Sequence, residues 1–349
     1  MTPKTPYHPI AWVDQHLRLL DQRLLPRTLT YNDYYDYRQV AEAIQTMVVR
    51  GAPAIGITAG YGMVLAATQG EFNDINALRT ELAAADAILR ATRPTAVNLS
   101  YALERILSRI SDPALETVDT LRQAILLEAQ AIDAHEREAN FKIGQNALPL
   151  VPEKATFIHH CNTGPLATGY YGTALGVIIA AHQAGKEVFV YVDETRPRLQ
   201  GARLTTWELQ QFGVPHTLIV DGAAAHIMRT RGVALCVVGC DRVAANGDTA
   251  NKIGTYGLAL SARAHGIPFY VVGPTTTIDM TLANGDEIEI EERAASEVTH
   301  VLGQPVAPAG TAATNIAFDV TPAQYITAII TERGVAYPPF EESLGELVH

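Results

Sequence analysis

Cys161 and Asp241 each stand where an apolar run ends in a polar turn. Cys161 lies in His159-His160-Cys161-Asn162-Thr163-Gly164, after the segment Ala155–His159. A cysteine at a strand end, just before a helix, sits near the positive end of that helix, which favours a thiolate or developing negative charge. Taken alone, a small buried hydrophobe is the better reading, because most free cysteines are that. His159 and His160 read as polar fillers at a strand end. Asp241 follows Leu235-Cys236-Val237-Val238-Gly239-Cys240. Partial desolvation there would favour the protonated carboxyl and suit it to general acid–base work. Capping the next helix or pairing with Arg242 is an equally open reading.

Other stretches could hold an anion. Val243–Lys252 reads VAANGDTANK; Asn246-Gly247-Asp248 is a turn, and Asn251 and Lys252 stand where a helix is expected to begin. Backbone N–H groups, an amide and an ammonium converging there would cradle a phosphate or sugar hydroxyls, against the alternative of an exposed turn with a solvated lysine. Asp193–Arg203 reads DETRPRLQGAR, with arginines whose forks suit phosphate oxygens, or whose charges Asp193 and Glu194 absorb. Arg50-Gly51-Ala52-Pro53-Ala54-Ile55-Gly56 allows close backbone approach to a ligand, though a tight turn between helices explains it as well. Arg93-Pro94-Thr95 is a helix end or a phosphate-facing arginine. The glycine spacing fits neither a Walker motif nor a dinucleotide fingerprint. Tyr31, Tyr34, Tyr35 and Tyr37 read as packing or interface surface.

These residues need elements to hold them. Residues 1–148 read as a mainly helical domain: Tyr37–Val49, Ile75–Leu89, Ala96–Ile110 and Leu115–Asn146 show apolar residues at helical spacing, with a short hairpin near Trp12–Tyr31. The character changes near Pro149–Pro152. Over 149–349, strands at Ala155–His159, Glu187–Asp193, His216–Val220, Leu235–Gly239 and Pro268–Gly273 alternate with helices at Leu166–Gly185, Thr205–Phe212, Ala223–Thr230 and Lys252–His265. Pro322–Arg333 is expected as a further helix. The alternation predicts an α/β chain whose second domain is a doubly wound parallel sheet. Ligands in such sheets bind beyond the strands' carboxyl ends, which is where the loops Cys161–Pro165, Glu194–Arg203, Asp221–Ala223, Asp241–Asn251 and Pro274–Asp279 fall.

Composition narrows the function. Of 349 residues, 48% are apolar and 18% charged, an ordinary globular balance. A net charge of -11 argues against a nucleic-acid surface, though not against one phosphate held by local cations. No apolar run reaches a membrane span, the first nine residues do not resemble a signal peptide, and three sparse cysteines form no disulfide framework. A reduced, cytoplasmic setting is expected. No motif calls for a metal or a nucleotide cofactor.

Taken together and in order, VRGAPAIG (49–56), RPTAVNL (93–99), HCNTG (160–164), DETRPRLQGARLTTWEL (193–209) and GCDRVAANGDTANKIGTYGLA (239–259) resemble the methylthioribose-1-phosphate isomerases. These belong to the superfamily that includes the regulatory subunits of eukaryotic initiation factor 2B. The resemblance runs from about Tyr31 to Val335. It implies a helical N-terminal domain, a Rossmann-like catalytic C-terminal domain and a homodimer. It also implies roles: Cys161 stabilises the transition state, Asp241 donates the proton, and Arg50, Gly51, Ala52, Arg93, Gln200, Asn251 and Lys252 bind substrate. Pro165, Cys240, Gly273-Pro274 and Gly310-Thr311-Ala312-Ala313 depart from the commonest family pattern and bear on which sugar is accepted.

The reaction so implied turns an aldose 1-phosphate into a ketose 1-phosphate in methionine salvage, with a sugar phosphate as the ligand and no nucleic acid or membrane partner. Isomerases of 5-deoxyribose 1-phosphate or ribose 1,5-bisphosphate, and a non-catalytic translation-factor-like subunit, are the rival readings. Retention of Cys161 and Asp241 together argues against the last.

Overall fold

A computed structural model describes residues 5–94 and 96–348. The chain divides into two compact units. One runs to Glu138 and adds Pro165–Tyr171; the other takes Ala139–Gly164 and continues from Gly172. Among the described residues no helix is long and apolar enough to cross a membrane.

The first unit opens with a three-stranded antiparallel meander, Ile10–Val13, His16–Leu20 and Tyr31–Tyr34, one strand more than the expected hairpin. Asp14 and Gln15, at φ 44° and 67°, make the tight turn between the first two strands. Helices follow at Tyr37–Gln45, Ala52–Thr68, Ile75–Thr92 and Val97–Ile110, then Val118–Ala147, whose first part belongs here. Asp36 and Asp74 cap the first and third by accepting backbone N–H bonds at Arg38 and at Asn76 and Ala77. Ala52–Thr68 is apolar on all sides and buried from Pro53 to Ala67. The amphipathic helices bury their apolar stripes against it, giving one continuous core.

The second unit is built on a seven-stranded sheet. Its spatial order is Gly334–Ala336, Ala328–Thr331, Phe269–Val272, Leu235–Gly239, Lys154–His159, Glu187–Asp193, His216–Ile219. All neighbours are parallel except the terminal hairpin of Ala328–Thr331 with Gly334–Ala336. The chain starts at the centre with Lys154–His159, builds outward to one edge, then returns to build on the other side. The order therefore reverses between Lys154–His159 and Leu235–Gly239, and a crevice opens beyond the carboxyl ends of strands flanking such a reversal. Cys161 and Asp241 follow these two strands.

Three expectations change. Pro322–Arg333 is not a helix: a 3-10 turn at Ala323–Tyr325 leads into the wholly buried strand Ala328–Thr331. Its β-branched Ile329, Ile330 and Thr331 favour the pleated pairing with Phe269–Val272 over helical geometry. The helix expected from Lys252 starts at Thr255. Thr249–Lys252 is instead a strand, paired antiparallel with Arg242–Ala244 and Phe318–Thr321, because Asn246-Gly247-Asp248 turns the chain back as a hairpin. The helix expected over Leu166–Gly185 is two helices, Pro165–Thr168 and Ala174–Gln183. Gly169 and Gly172, at φ 93° and 94°, break it.

Candidate active site

Cys161 is held in a conformation its side chain disfavours, with φ at 71°. Its backbone N–H donates to Thr195 Oγ1 (2.9 Å), and its carbonyl accepts from Thr205 Oγ1 (2.7 Å). Thr195 and Leu199 also adopt left-handed backbone, at φ 59° and 57°. Strain of about 1–3 kcal/mol per residue persists only where the surroundings over-determine it. Here the Asp221 carboxylate accepts from the N–H groups of Thr195 (2.7 Å) and Arg196 (2.8 Å), pinning the loop. Asn162 donates to Thr205 Oγ1 (3.1 Å) and to the fully buried Glu208 (2.5 Å). The Cys161 turn is thus clamped from the Asp193–Arg203 loop and from the helix beyond it.

The Cys161 sulfur has a donor of its own: Gln200 Nε2 lies 3.3 Å from Sγ. Gln200 is buried, and its Oε1 has no partner among the described residues. An amide oriented this way donates to sulfur and offers an acceptor to a substrate hydroxyl. Burial pushes the Cys240 thiol up to about 12 and raises Cys236 also, which keeps both protonated.

The histidines flanking this turn carry opposite states. His159 Nδ1 lies 2.8 Å from the Val237 carbonyl, so it donates there. Full burial lowers the His159 pKa to about 4, and the ring is neutral. Burial would lower His160 too, but its bond to Asp193 and the charges of Asp193 and Asp221 outweigh it and hold the pKa near 9. Burial, with the charges of Asp221 and Glu194, raises the Asp193 carboxyl at the same time, against the pull of His160, so one proton serves both groups. His160, Asp193 and Asp221 offer donor atoms within 4.8 Å of one another, the spacing of a metal site. Both His160 nitrogens are already engaged, Nδ1 with Asp193 Oδ2 and Nε2 with Ile253 O.

Asp241 sits on the turn between the strands Leu235–Gly239 and Arg242–Ala244, and its backbone N–H donates to Ala250 O (2.9 Å). The next element is a strand, so Asp241 caps no helix, and Arg242 reaches Asp279 (3.4 Å). The pull of Asp241 on the Arg293 guanidinium is felt in the raised Arg293 pKa, behind the larger effects of burial and Glu291. Lys252 lies over the Phe318 ring (3.8 Å to its centroid) and donates to Ala317 O (2.7 Å). Asn251 donates to Thr255 Oγ1 (2.9 Å). The pair ends a strand rather than starting a helix.

The loop arginines are engaged. Arg198 pairs with Glu297 (2.5 Å), and Arg196 donates to Val298 O (2.9 Å), so this loop clasps the Ser296–Thr299 segment. Asp193 turns to His160 instead of to an arginine.

Arg50, Gly51, Ala52 and Arg93 belong to the first unit. Gly51 caps the buried helix at φ 95°, ψ 136°, with Ala52 the first helical residue. A side chain there would come within 2.3 Å of the Ala167 carbonyl oxygen, so only glycine fits. The N–H groups that begin this 17-residue helix follow directly. Arg93 ends the helix Ile75–Thr92. Thr95 of the Arg93-Pro94-Thr95 motif lies outside the described residues.

The second unit therefore brings Cys161, Gln200 and the His160–Asp193–Ile253 bridge together, with Asp241 after the neighbouring strand. Thr195, Thr205, Glu208 and Asp221 are supporting residues to which the sequence assigns no role, although the first three lie in the 193–209 motif and Asp221 opens a strand-end loop. No motif marks them individually; the Asp221 loop is marked only by its place beyond a strand end.

The Initiation factor 2 subunit family matches residues 48–338. A protein of Synechococcus sp. named methylthioribose-1-phosphate isomerase is 54% identical over 344 residues, covering 99% of both chains. One of the same name from Desulforamulus reducens is 53% identical over 97% of this chain and 98% of its own. The crystal structure of 5-methylthioribose 1-phosphate isomerase from Pyrococcus horikoshii OT3 aligns with a TM-score of 0.94 at 42% identity, covering 99% of this chain and 98% of that one. A structure described as translation initiation factor 2B, subunit delta, from A. fulgidus aligns at 0.89 and 38% identity, over 98% and 99%. The chain belongs to the initiation factor 2 subunit family, with the methylthioribose-1-phosphate isomerases among its near relatives.

Proposed function

We propose that the protein is an aldose–ketose isomerase that converts 5-methylthioribose 1-phosphate to 5-methylthioribulose 1-phosphate in methionine salvage. The carrying observation is the Cys161 thiol, strained, clamped and hydrogen-bonded by Gln200, at the topological reversal that Asp241 also borders. The shared name of relatives at about half identity supports the choice of reaction. Two domains, mainly helical over 1–148 and Rossmann-like over 149–349, a homodimer and a cytoplasmic setting go with this reading.

The substrate's anomeric oxygen is esterified, so the furanose must open with its phosphate attached. In this reading Asp241 gives a proton to the ring oxygen as the C1–O4 bond breaks. Arg50, Gly51, Ala52, Arg93, Gln200, Asn251 and Lys252 are the substrate-binding residues of this reading. Hydrogen then moves from C2 to C1. In one balanced route it moves as hydride, and Cys161 accepts the 2-hydroxyl proton as C2 becomes a carbonyl. In the other, Cys161 takes the C2 proton to give an enol phosphate, and C1 is then protonated as the 2-hydroxyl gives its proton to the Asp241 carboxylate. Turnover in deuterated water tests this: substantial solvent deuterium at C1 counts against hydride transfer.

A second reading draws on the subunit-delta description carried by a 38% identical structure: a regulatory subunit without catalysis. Incubation with methylthioribose 1-phosphate decides, since ketose formation excludes that reading and its absence in folded protein favours it. Faster turnover of 5-deoxyribose 1-phosphate or ribose 1,5-bisphosphate would keep the chemistry and change the substrate.

A further inference from the structure

His160 precedes the thiol of the proposed reaction, yet no step above uses it. Its ring is 1% exposed. Nε2 lies 2.8 Å from the Ile253 carbonyl, which can only accept, so Nε2 carries a proton. Nδ1 lies 3.0 Å from Asp193 Oδ2. One proton fills that second bond, either on His160 as an imidazolium facing a carboxylate, or on Asp193 as an acid facing a neutral ring. The surroundings decide. Asp221, fixed by the Thr195 and Arg196 N–H groups, acts as a negative charge on both partners and Glu194 on Asp193, whereas Asp319, fixed by the N–H groups of Gly254 (2.8 Å) and Tyr256 (3.1 Å), interacts with the His160 ring and favours the proton there. His159, on the other side in the chain, is neutral. Gly254 makes room for this: a Cβ there would stand 2.9 Å from His160 Cε1.

We infer that His160 is an imidazolium at neutral pH that ties the Cys161 turn to Asp193 and to the end of the Asn251–Lys252 strand, and that its charge supports negative charge at the reacting centre. The first part stands on geometry; the second rests on the isomerase reading. His160 is a positioning residue with an electrostatic function, because it acts through Cys161. Full burial matters here, since a charge in a low-dielectric interior acts at greater strength than one in water.

The test begins with the intact wild-type protein, labelled with 15N at its histidines and observed by NMR, with the His160 signals assigned by their loss in His160→Gln. Both ring nitrogens are expected to be protonated at neutral pH, with proton loss near pH 9. An unprotonated Nδ1 at neutral pH would put the proton on Asp193 and overturn the inference. His160→Gln keeps an amide donor and removes the charge. It is expected to lower kcat roughly 10²-fold, the size found when one preorganised electrostatic contact is lost, and to change KM by less than about threefold. The wild type should lose activity above about pH 9, and the variant should lack that limb. Near-wild-type kcat in a variant with the alkaline limb intact would make His160 a packing residue. If His160→Gln does not fold, the alkaline limb of wild-type kcat decides the electrostatic part, its absence counting against it. Failure of the wild type to isomerise any sugar phosphate would defeat the isomerase reading and leave the NMR result on His160 standing.

Discussion

Gly51→Ala tests whether the turn ahead of the buried helix depends on glycine for its backbone angle or for its lack of a side chain. Gly51 sits at φ 95°, ψ 136°, where an L side chain is strained by about 1–3 kcal/mol. Its Cβ would meet Ala167 O at 2.3 Å and Ala167 Cα and Cβ at 2.6 Å. Two of these are backbone atoms, which no rotamer change moves, so overpacking adds about 1–3 kcal/mol more. The total of about 2–6 kcal/mol is a large share of the 5–15 kcal/mol typical of a folded protein. Gly169→Ala is the control in the same unit. It stands at φ 93°, but its Cβ would meet only Ile57 Cδ1 at 2.9 Å and Ile10 Cδ1 at 3.8 Å, the free ends of flexible side chains. The Gly51 variant should therefore be the less stable of the two by about 1–3 kcal/mol. Trp12, stacked on Tyr61 of the buried helix at 5.2 Å, reports this unit's unfolding in urea once Trp207 is replaced by Phe. Equal midpoints, or a worse Gly169 variant, would refute the packing argument.

Cys161→Ser and Asp241→Asn should each cut kcat with methylthioribose 1-phosphate by at least about 10²-fold, the usual worth of a positioned acid–base group. Their thermal midpoints should stay within a few degrees of the wild type, and a residual rate above a tenth of wild type would remove either residue from the mechanism. Gln200→Ala deletes the donor at 3.3 Å from Cys161 Sγ and an acceptor offered to substrate, and should lower kcat/KM about tenfold for roughly 1.5 kcal/mol of hydrogen bonding; an unchanged kcat/KM would show the contact to be incidental. Stability should peak near pH 6.5. His159, at about 4 when folded, refuses a proton that the unfolded chain takes, so stability falls as pH drops from 6.5 toward 4. His160, near 9 when folded, contributes fully below 6.5 and loses that contribution as pH rises to 9. Thermal midpoints across this range check both limbs, and a flat curve from 6.5 to 9 would contradict the charged state of His160.

The alternation of apolar strands with helices over 149–349 was legible because each strand of a buried parallel sheet is a short apolar run. That pattern also put Cys161 and Asp241 at strand ends. Ala328–Thr331 was not legible: Ala-Ile-Ile-Thr after a proline fits a helix or a strand by composition, and only pairing with Phe269–Val272 decides. Thr249–Lys252 was misjudged because its partner Phe318–Thr321 lies far along the chain. At the site, Gln200 was reached through a motif, while its bond to the thiol needed the fold. His160 looked like a filler because nothing local shows that Asp193 and Ile253 both turn acceptors toward it. The same holds for Glu208 and Asp221, whose functions exist only in the clamped loop.

The most direct test is to incubate the purified protein with 5-methylthioribose 1-phosphate, and separately with 5-deoxyribose 1-phosphate and ribose 1,5-bisphosphate, and to follow the products by NMR. The account predicts ketose 1-phosphate from the methylthio sugar, formed faster than from either alternative and abolished by Cys161→Ser. No ketose from any of the three, by protein that is folded, would contradict it.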